Sequence, residues 1–270
     1  MGNESIFKTL MVAVGVSAVC AVLVSVTAKS LESTQIENQK LDKKRNILVA
    51  AGVIDSRGYL LQKEDAAKTL ADIKEEFARL IPQVIDLETG RVVEGMEPEE
   101  IEKIDPKKQV KSEADRIKLS QTTDISGIKF KPKQAVVYVL NDGAGKPLRY
   151  IFPIFGKGLW STMYGYIALE SDLNTVSNIT FYDHGETPGL GGEISNPKWQ
   201  AKWADKRIFD TSGKPVLKVF KGHVPESDPA AAYEVDGISG ATLTGNGVSN
   251  TVRFWLGENG FGPYLKALRD

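Results

Sequence analysis

Hydroxyl groups set among glycines are the first candidates for chemistry in this chain. In Asp236-Gly237-Ile238-Ser239-Gly240-Ala241-Thr242-Leu243-Thr244, three hydroxyls lie on a glycine-loosened backbone. Val248, Val252, Trp255 and Leu256 follow at helical spacing and predict a helix starting near Thr244. Free amides and the positive end of the dipole at such a start suit an anion, phosphate above all. A plain N-cap uses the same residues, and composition does not separate the two readings.

Two further glycine-rich stretches could serve a ligand. Gly156-Lys157-Gly158-Leu159-Trp160 could present Trp160 for stacking, or could be a tight turn with a buried tryptophan. His184-Gly185-Glu186-Thr187-Pro188-Gly189-Leu190-Gly191-Gly192-Glu193 permits close backbone approach to a planar group and exposes amide donors, as would any mobile surface loop. It is no dinucleotide fingerprint, because the spacing fails and no strand–turn–helix unit follows.

Other chemistries are excluded by what is missing. The two histidines, His184 and His223, each stand without a second ligand at metal spacing, so both read as ordinary polar residues and no metal is expected. Cys20 is the one cysteine, which rules out an internal disulfide or a thiolate cluster built from this chain alone. Any redox role therefore needs another cofactor. The net charge is −1 and no basic cluster is interleaved with aromatics, so nucleic acid is not an expected partner.

The elements that must position these residues follow from periodicity. Leu10 to Ala28 is a charge-free run long enough, at ~1.5 Å per residue, to cross a ~30 Å hydrocarbon core. It reads as one transmembrane helix in the lipid bilayer, with a cleaved signal peptide as the alternative. Cys20 lies mid-span behind Val19 and reads as a packing residue, not a lipid anchor. Lys29, Lys40, Lys43, Lys44 and Arg45 after the span outnumber Lys8 before it, which by charge count would keep the following domain in the cytoplasm. Ser30 to Val53 continues as a polar helix that turns at Gly52 or Gly58. Asp65 to Ile81 predicts an amphipathic helix ended by Pro82, and Gly95 to Lys118 a solvated connection.

From Gln134 the pattern becomes short strands: Gln134–Leu140, Leu148–Phe155, Gly165–Leu169, Val176–Tyr182 and Val216–Phe220. Asn141-Asp142-Gly143 marks a hairpin. Helical segments flank the strands instead of alternating with them, so the expected fold is α+β. It comprises one N-terminal transmembrane helix followed by a mainly antiparallel domain. The expected organisation is an anchor over 1–28, a helical and connecting region over 29–125, and the ligand-bearing domain over 126–270.

Asp236 to Thr242 resembles the flavinylation signature Asp-x-x-Ser-Gly-Ala-Thr, in which the last threonine receives FMN through a phosphoester bond. With Glu186-Thr187-Pro188-Gly189-Leu190-Gly191, Gly158-Leu159-Trp160 and the single N-terminal span, it makes the chain resemble the C subunit of the sodium-translocating NADH:quinone reductase. The G subunit of the Rnf complex shares the threonine motif and the Glu-Thr-Pro-Gly-Leu-Gly loop but is usually shorter between span and flavin domain. The Asp55 to Lys118 region therefore favours the sodium pump. A membrane-tethered binding or assembly module with purely structural glycines is the rival from another class.

The resemblance implies one covalent FMN per chain on Thr242, with Ser239, Gly240 and Ala241 shaping its turn and Asp236 serving the modifying enzyme. It implies that Thr187 and Leu190 touch the flavin, with Glu186, Leu159 and Trp160 nearby. No acid–base catalytic residue is required. The implied partners are a flavin transferase during maturation and the other subunits of the complex. Electrons would pass from an iron–sulfur centre to a second covalent FMN, with NADH and quinone handled elsewhere. The resemblance also implies an inner-membrane protein with its flavin domain on the periplasmic side, against the charge count; a folded domain of ~240 residues lies beyond the loop lengths that rule governs.

Overall fold

The computed structural model describes residues 2–55, 70–225 and 227–269. The chain divides into two compact units, Met1–Lys44 and Arg45–Asp270. Helix α1 spans Gly2–Ala50, and no glycine or proline lies between Gly15 and Gly52 to break its ladder of backbone bonds. It is exposed from Ile6 to Lys40, and Ile6–Ala50 is long and apolar enough to cross a membrane. The helix ends at Ala50 and the chain turns at Gly52, one of the two expected turns. There Gly52 N–H donates to Val49 O and Val53 N–H to Leu48 O, both at 3.0 Å. Gly58 lies outside the described residues.

The predicted helix over Asp65 to Ile81 needs correction, its first five residues lying outside the described ones. Helix α2 covers Leu70–Ala78, and Leu80, Ile81 and Pro82 open strand β1, Leu80–Asp86. The override is tertiary. β1 pairs antiparallel with β5, Gln134–Asn141, from Leu80↔Leu140 to Asp86↔Gln134, so its backbone groups are satisfied across the sheet. Among the described residues its outer side is paired only from Val84 on, by β2, Val92–Val93, and by Asp86 N–H on Arg91 O at 2.9 Å. Pro82 thus lies at an open edge, where a missing N–H is tolerated.

The stretch from Gly95 to Lys118 is also more than a connection. It carries helices α3, Pro98–Lys103, and α4, Pro106–Gln109, and strand β3, Arg116–Lys118, which pairs with β4, Phe130–Pro132. Both helices start on proline. Glu97 N–H meets Glu100 Oε2 at 3.2 Å, and Asp105 Oδ1 accepts Lys107 N–H at 2.8 Å. The charged composition hid a docking function: the Lys107 ammonium pairs with Asp183 and lies 4.5 Å from the Tyr164 ring centre.

The main sheet has the order β2-β1-β5-β6-β7-β8, with β6 at Pro147–Lys157, β7 at Thr162–Glu170 and β8 at Val176–Asp183. Every neighbouring pair is antiparallel, which is the α+β arrangement expected. Of the predicted strands, Val216–Phe220 shrinks to β9, Lys218–Val219, which pairs in parallel with β10, Glu234–Val235. The Asn141-Asp142-Gly143 turn joins β5 to β6. Gly145, at φ +80°, takes its left-handed position, and Asp142 Oδ1 accepts the amides of Ala144 and Lys146 at 2.8 and 2.9 Å.

One face of the sheet, with Phe152, Ile154, Ile167 and Phe181, packs on Trp199 of α5 (Pro197–Gln200), on α6 (Thr242–Leu256) and on α7 (Gly262–Arg269). On the other, Phe77 meets Tyr138 edge-on at 5.5 Å and Asn178 donates to Val49 O at 2.8 Å. Helix α6 rests directly on β6. A Cβ on Gly247 would lie 2.4 Å from Lys157 O, and one on Gly156 would lie 1.9 Å from Thr251 Oγ1. Only glycine permits that seam.

Candidate functional site

The site is built at the N-terminus of α6, which begins at Thr242 and not at Thr244. The preceding loop is held by Asp236. Its Oδ1 accepts Val224 N–H at 2.8 Å and lies 3.0 Å from His223 Nδ1, and its Oδ2 accepts the Lys202 ammonium at 2.7 Å. Its carbonyl accepts Trp199 Nε1–H at 2.8 Å. Burial pushes the carboxyl upward, but the bonds from Lys202, Val224 and His223 outweigh it and hold the group down at about 2. Gly237 N–H then donates to Gly222 O at 2.7 Å, locking this loop against the bend after β9.

The turn into the helix closes with Ala241 N–H on Ile238 O at 3.1 Å, while Gly240 adopts φ +70°. Leu190 comes so close there that its Cδ2 would be 2.9 Å from a Cβ on Gly240. The first intrahelical bond runs from Gly245 N–H to Ala241 O at 3.0 Å. The amides of Thr242, Leu243 and Thr244 are thus left with no acceptor inside the helix. Thr242, Ser239 and Gly240 are exposed, and Ala241 is buried.

Glu186 is buried beneath this helix start at 4% exposure. Oε1 accepts the amides of Trp160 and Ser161 at 2.9 and 3.2 Å. Oε2 accepts Leu159 N–H at 3.1 Å and the Thr244 hydroxyl at 2.6 Å. Burial alone would raise this carboxyl, but the Thr244 hydroxyl and the three amides outweigh it and hold the group below its ordinary value. The Gly158 turn, closed by Gly158 N–H on Ser161 O at 2.8 Å, is thereby tied to α6.

His184 has a role its isolation in sequence concealed. Its Nδ1 accepts Glu186 N–H at 3.2 Å, so the hydrogen-bond pattern assigns the proton to Nε2, which donates to Ser195 Oγ at 2.7 Å. Ser195 in turn donates to Phe181 O at 3.0 Å, anchoring the loop to β8. Thr187 O accepts the amides of Leu190 and Gly192 at 3.1 and 2.9 Å, and the Thr187 side chain stays exposed.

The structure therefore sorts the sequence-predicted residues into two sets. Glu186 and Asp236 have carboxylates engaged within the chain. Leu159 at 44%, Trp160 at 66% and Leu190 at 44% exposure leave their apolar side chains to solvent as a rim, Thr187 and Thr242 are exposed too, and the buried-tryptophan reading of Trp160 is overturned. Sequence reasoning missed Leu243, exposed at 61% beside Thr242. It also missed Lys221 and Asn246, which line a small hollow partly open to solvent with Thr242, Ile238 and Val219. Asn246 had a signal, four residues beyond Thr242 and so on the same helix face. Among the described residues no group of three or more His, Cys, Asp or Glu side chains could hold a metal ion.

These features suit a phosphate-bearing, largely apolar ring system, with an accessible hydroxyl, helix-start amides and an apolar rim within one surface. Known proteins agree in class, for a protein-family model described as FMN-binding domain matches residues 158–257. The Yersinia pestis protein named as the C subunit of Na(+)-translocating NADH-quinone reductase is 44% identical, covering 99% of this chain and 95% of its own. The Vibrio parahaemolyticus protein of the same name is 42% identical, covering 99% and 97%. Among solved structures, Shewanella oneidensis NqrC matches with a TM-score of 0.74 at 33% identity over 86% of this chain and 99% of that one. The chain belongs to the family formed by the C subunit of the Na(+)-translocating NADH-quinone reductase.

Proposed function

We propose that this chain is an electron-transfer subunit of a sodium-translocating NADH:quinone reductase and carries one FMN through a phosphoester bond to Thr242. The observation that carries the reading is Thr242 itself, exposed as the first residue of α6, beside amides with no intrahelical acceptor, inside the Asp-x-x-Ser-Gly-Ala-Thr motif. When bound, FMN supplies one- or two-electron redox chemistry. The chain's own residues bind and orient. The amides of Thr242, Leu243 and Thr244 would hold the phosphate charge, and Leu159, Trp160, Thr187 and Leu190 would offer a surface to the ring. Ser239, Gly240 and Ala241 keep the turn narrow enough for Thr242 to project.

Attachment uses FAD as the donor and a flavin transferase as the enzyme. The Thr242 oxygen forms a bond to the flavin-side phosphorus, the bond from that phosphorus to the AMP oxygen breaks, and AMP leaves with the electron pair. The hydroxyl proton passes to a base of the transferase. Electrons then enter from an iron–sulfur centre and leave to another flavin of the complex, while α1 anchors the chain in the inner membrane with the flavin domain on the periplasmic side. A fluorescent band under ultraviolet light on a denaturing gel, and the mass of FMN minus water on the peptide containing Thr242, are the expected results. A dark band from cells containing the transferase overturns the reading in favour of a binding module. Protease added to intact spheroplasts is expected to degrade the domain after Lys29; survival there with cleavage in inverted vesicles overturns the orientation.

A further inference from the structure

We infer that Glu186 is a positioning residue rather than a flavin ligand, fixing the Gly158–Ser161 turn against the first turn of α6 and placing a permanent negative charge beneath the flavin site. The inference rests on the attachment reading above and assigns Glu186 a part in tuning that site.

Its geometry leaves little freedom for a ligand. The carboxylate already accepts four hydrogen bonds, two on each oxygen, from Leu159, Trp160, Ser161 and Thr244. Four is about the number of lone-pair sites a carboxylate offers. The space around it is closed as well. A Cβ on Gly158 would lie 2.5 Å from Oε1, and one on Gly191 2.9 Å from Oε2. Both glycines therefore let backbone crowd against the carboxylate from two loops. Three polypeptide segments, distant in sequence, converge on one side chain: the turn after β6, the loop after β8 and the start of α6.

The rim residues Leu159 and Trp160 are consequently held at a set distance from Thr242, because their amides and the Thr244 hydroxyl share one acceptor. The charge itself is met by neutral donors, three amides and a hydroxyl, and not by a cation. Reduction adds negative charge to a flavin ring, so a fixed anion at the base of the site would oppose it and lower the midpoint potential. Glutamine at this position keeps the shape but turns one acceptor into a donor that faces donors, and it removes the charge.

The test uses the full chain produced together with the transferase, as wild type, Glu186→Gln and Glu186→Asp. Glu186→Gln is expected to keep far-ultraviolet circular dichroism, to raise the FMN midpoint potential and to weaken the visible circular dichroism of the flavin. Amide hydrogen exchange at Leu159, Trp160 and Ser161 is expected to speed up at least tenfold while β5 to β8 stay protected. Glu186→Asp, which keeps the charge on a shorter arm, is expected to leave the potential near wild type while loosening the same amides. An unchanged potential and unchanged flavin dichroism in Glu186→Gln overturn the tuning role, and unchanged exchange overturns the positioning role. If wild type carries no flavin on Thr242, the attachment reading has failed, and the exchange measurement still decides whether Glu186 positions the turn.

Discussion

Beneath the start of α6 and above it, the same kinds of side chain are put to opposite uses. Thr244 and Thr242 stand two residues apart, yet Thr244 is 1% exposed and gives its hydroxyl to Glu186, while Thr242 projects from the surface. The aromatic residues divide in the same way: Trp255 is buried with its Nε1–H on Phe155 O at 2.6 Å, whereas Trp160 is exposed and held through its backbone. The floor is rigid because its carboxylate, hydroxyl and amides satisfy one another. The rim is available because it is tied down by backbone and leaves its side chains to solvent. Accessibility, not residue type, decides which hydroxyl is left for chemistry.

The largest expected effect comes from Thr242→Ala, which removes the proposed FMN acceptor and nothing from the floor. Covalent flavin should fall to zero by gel fluorescence and peptide mass, while stability changes by no more than ~1 kcal/mol, as for an exposed helix-start hydroxyl. Persistent flavin would erase the distinction between the two threonines. Thr244→Val attacks the floor instead, keeping shape but withdrawing the hydroxyl from a buried carboxylate. Chemical denaturation should report a loss of ~1.5–3 kcal/mol, the range for hydrogen bonds to charged groups, with attachment reduced but still on Thr242.

Acid should loosen the loop that leads into the floor before the rim residues matter. The Asp236 carboxyl is held at about 2 against an ordinary 3.8, so its stabilisation is fully present above pH ~4 and is lost as pH falls toward 2. Asp236→Asn should flatten that part of the stability profile in equilibrium denaturation between pH ~5 and ~2. A profile identical to wild type would mean that the Lys202 and His223 contacts contribute nothing. The smallest effect on the fold is expected from Trp160→Ala, within ~0.5 kcal/mol as for an unburied side chain. A shift in the visible flavin spectrum without a change in stability would place Trp160 on the ring; no shift would remove it from the rim.

Much of the fold was legible because the strands β5 to β8 are regular, alternating or apolar runs bounded by turn residues. β1 was not, since Leu80 and Ile81 continue the helical spacing of Ile73 and Phe77, and only pairing with the remote β5 makes them a strand. The charge-rich stretch after Gly95 hid α3 and α4 because their caps are local while their docking, through Lys107 on Asp183, is remote. At the site, Thr242 stood out through its motif. Glu186 and Asp236 read as ligand-facing or enzyme-facing carboxylates, because partners such as Leu159, Thr244 and Lys202 lie 27 to 58 residues away and leave no local trace.

The seam between Gly247 and Lys157 gives α6 the properties of a lever. Gly247 lies five residues from Thr242, or about 7.5 Å along the axis at ~1.5 Å per residue. An α-helix is stiff over that span, so any bulk inserted at the seam would be transmitted almost whole to the exposed end. Where the proposed acceptor hydroxyl of Thr242 stands at the surface is thus calibrated from within the domain, at the buried contact of Gly247 on Lys157 O.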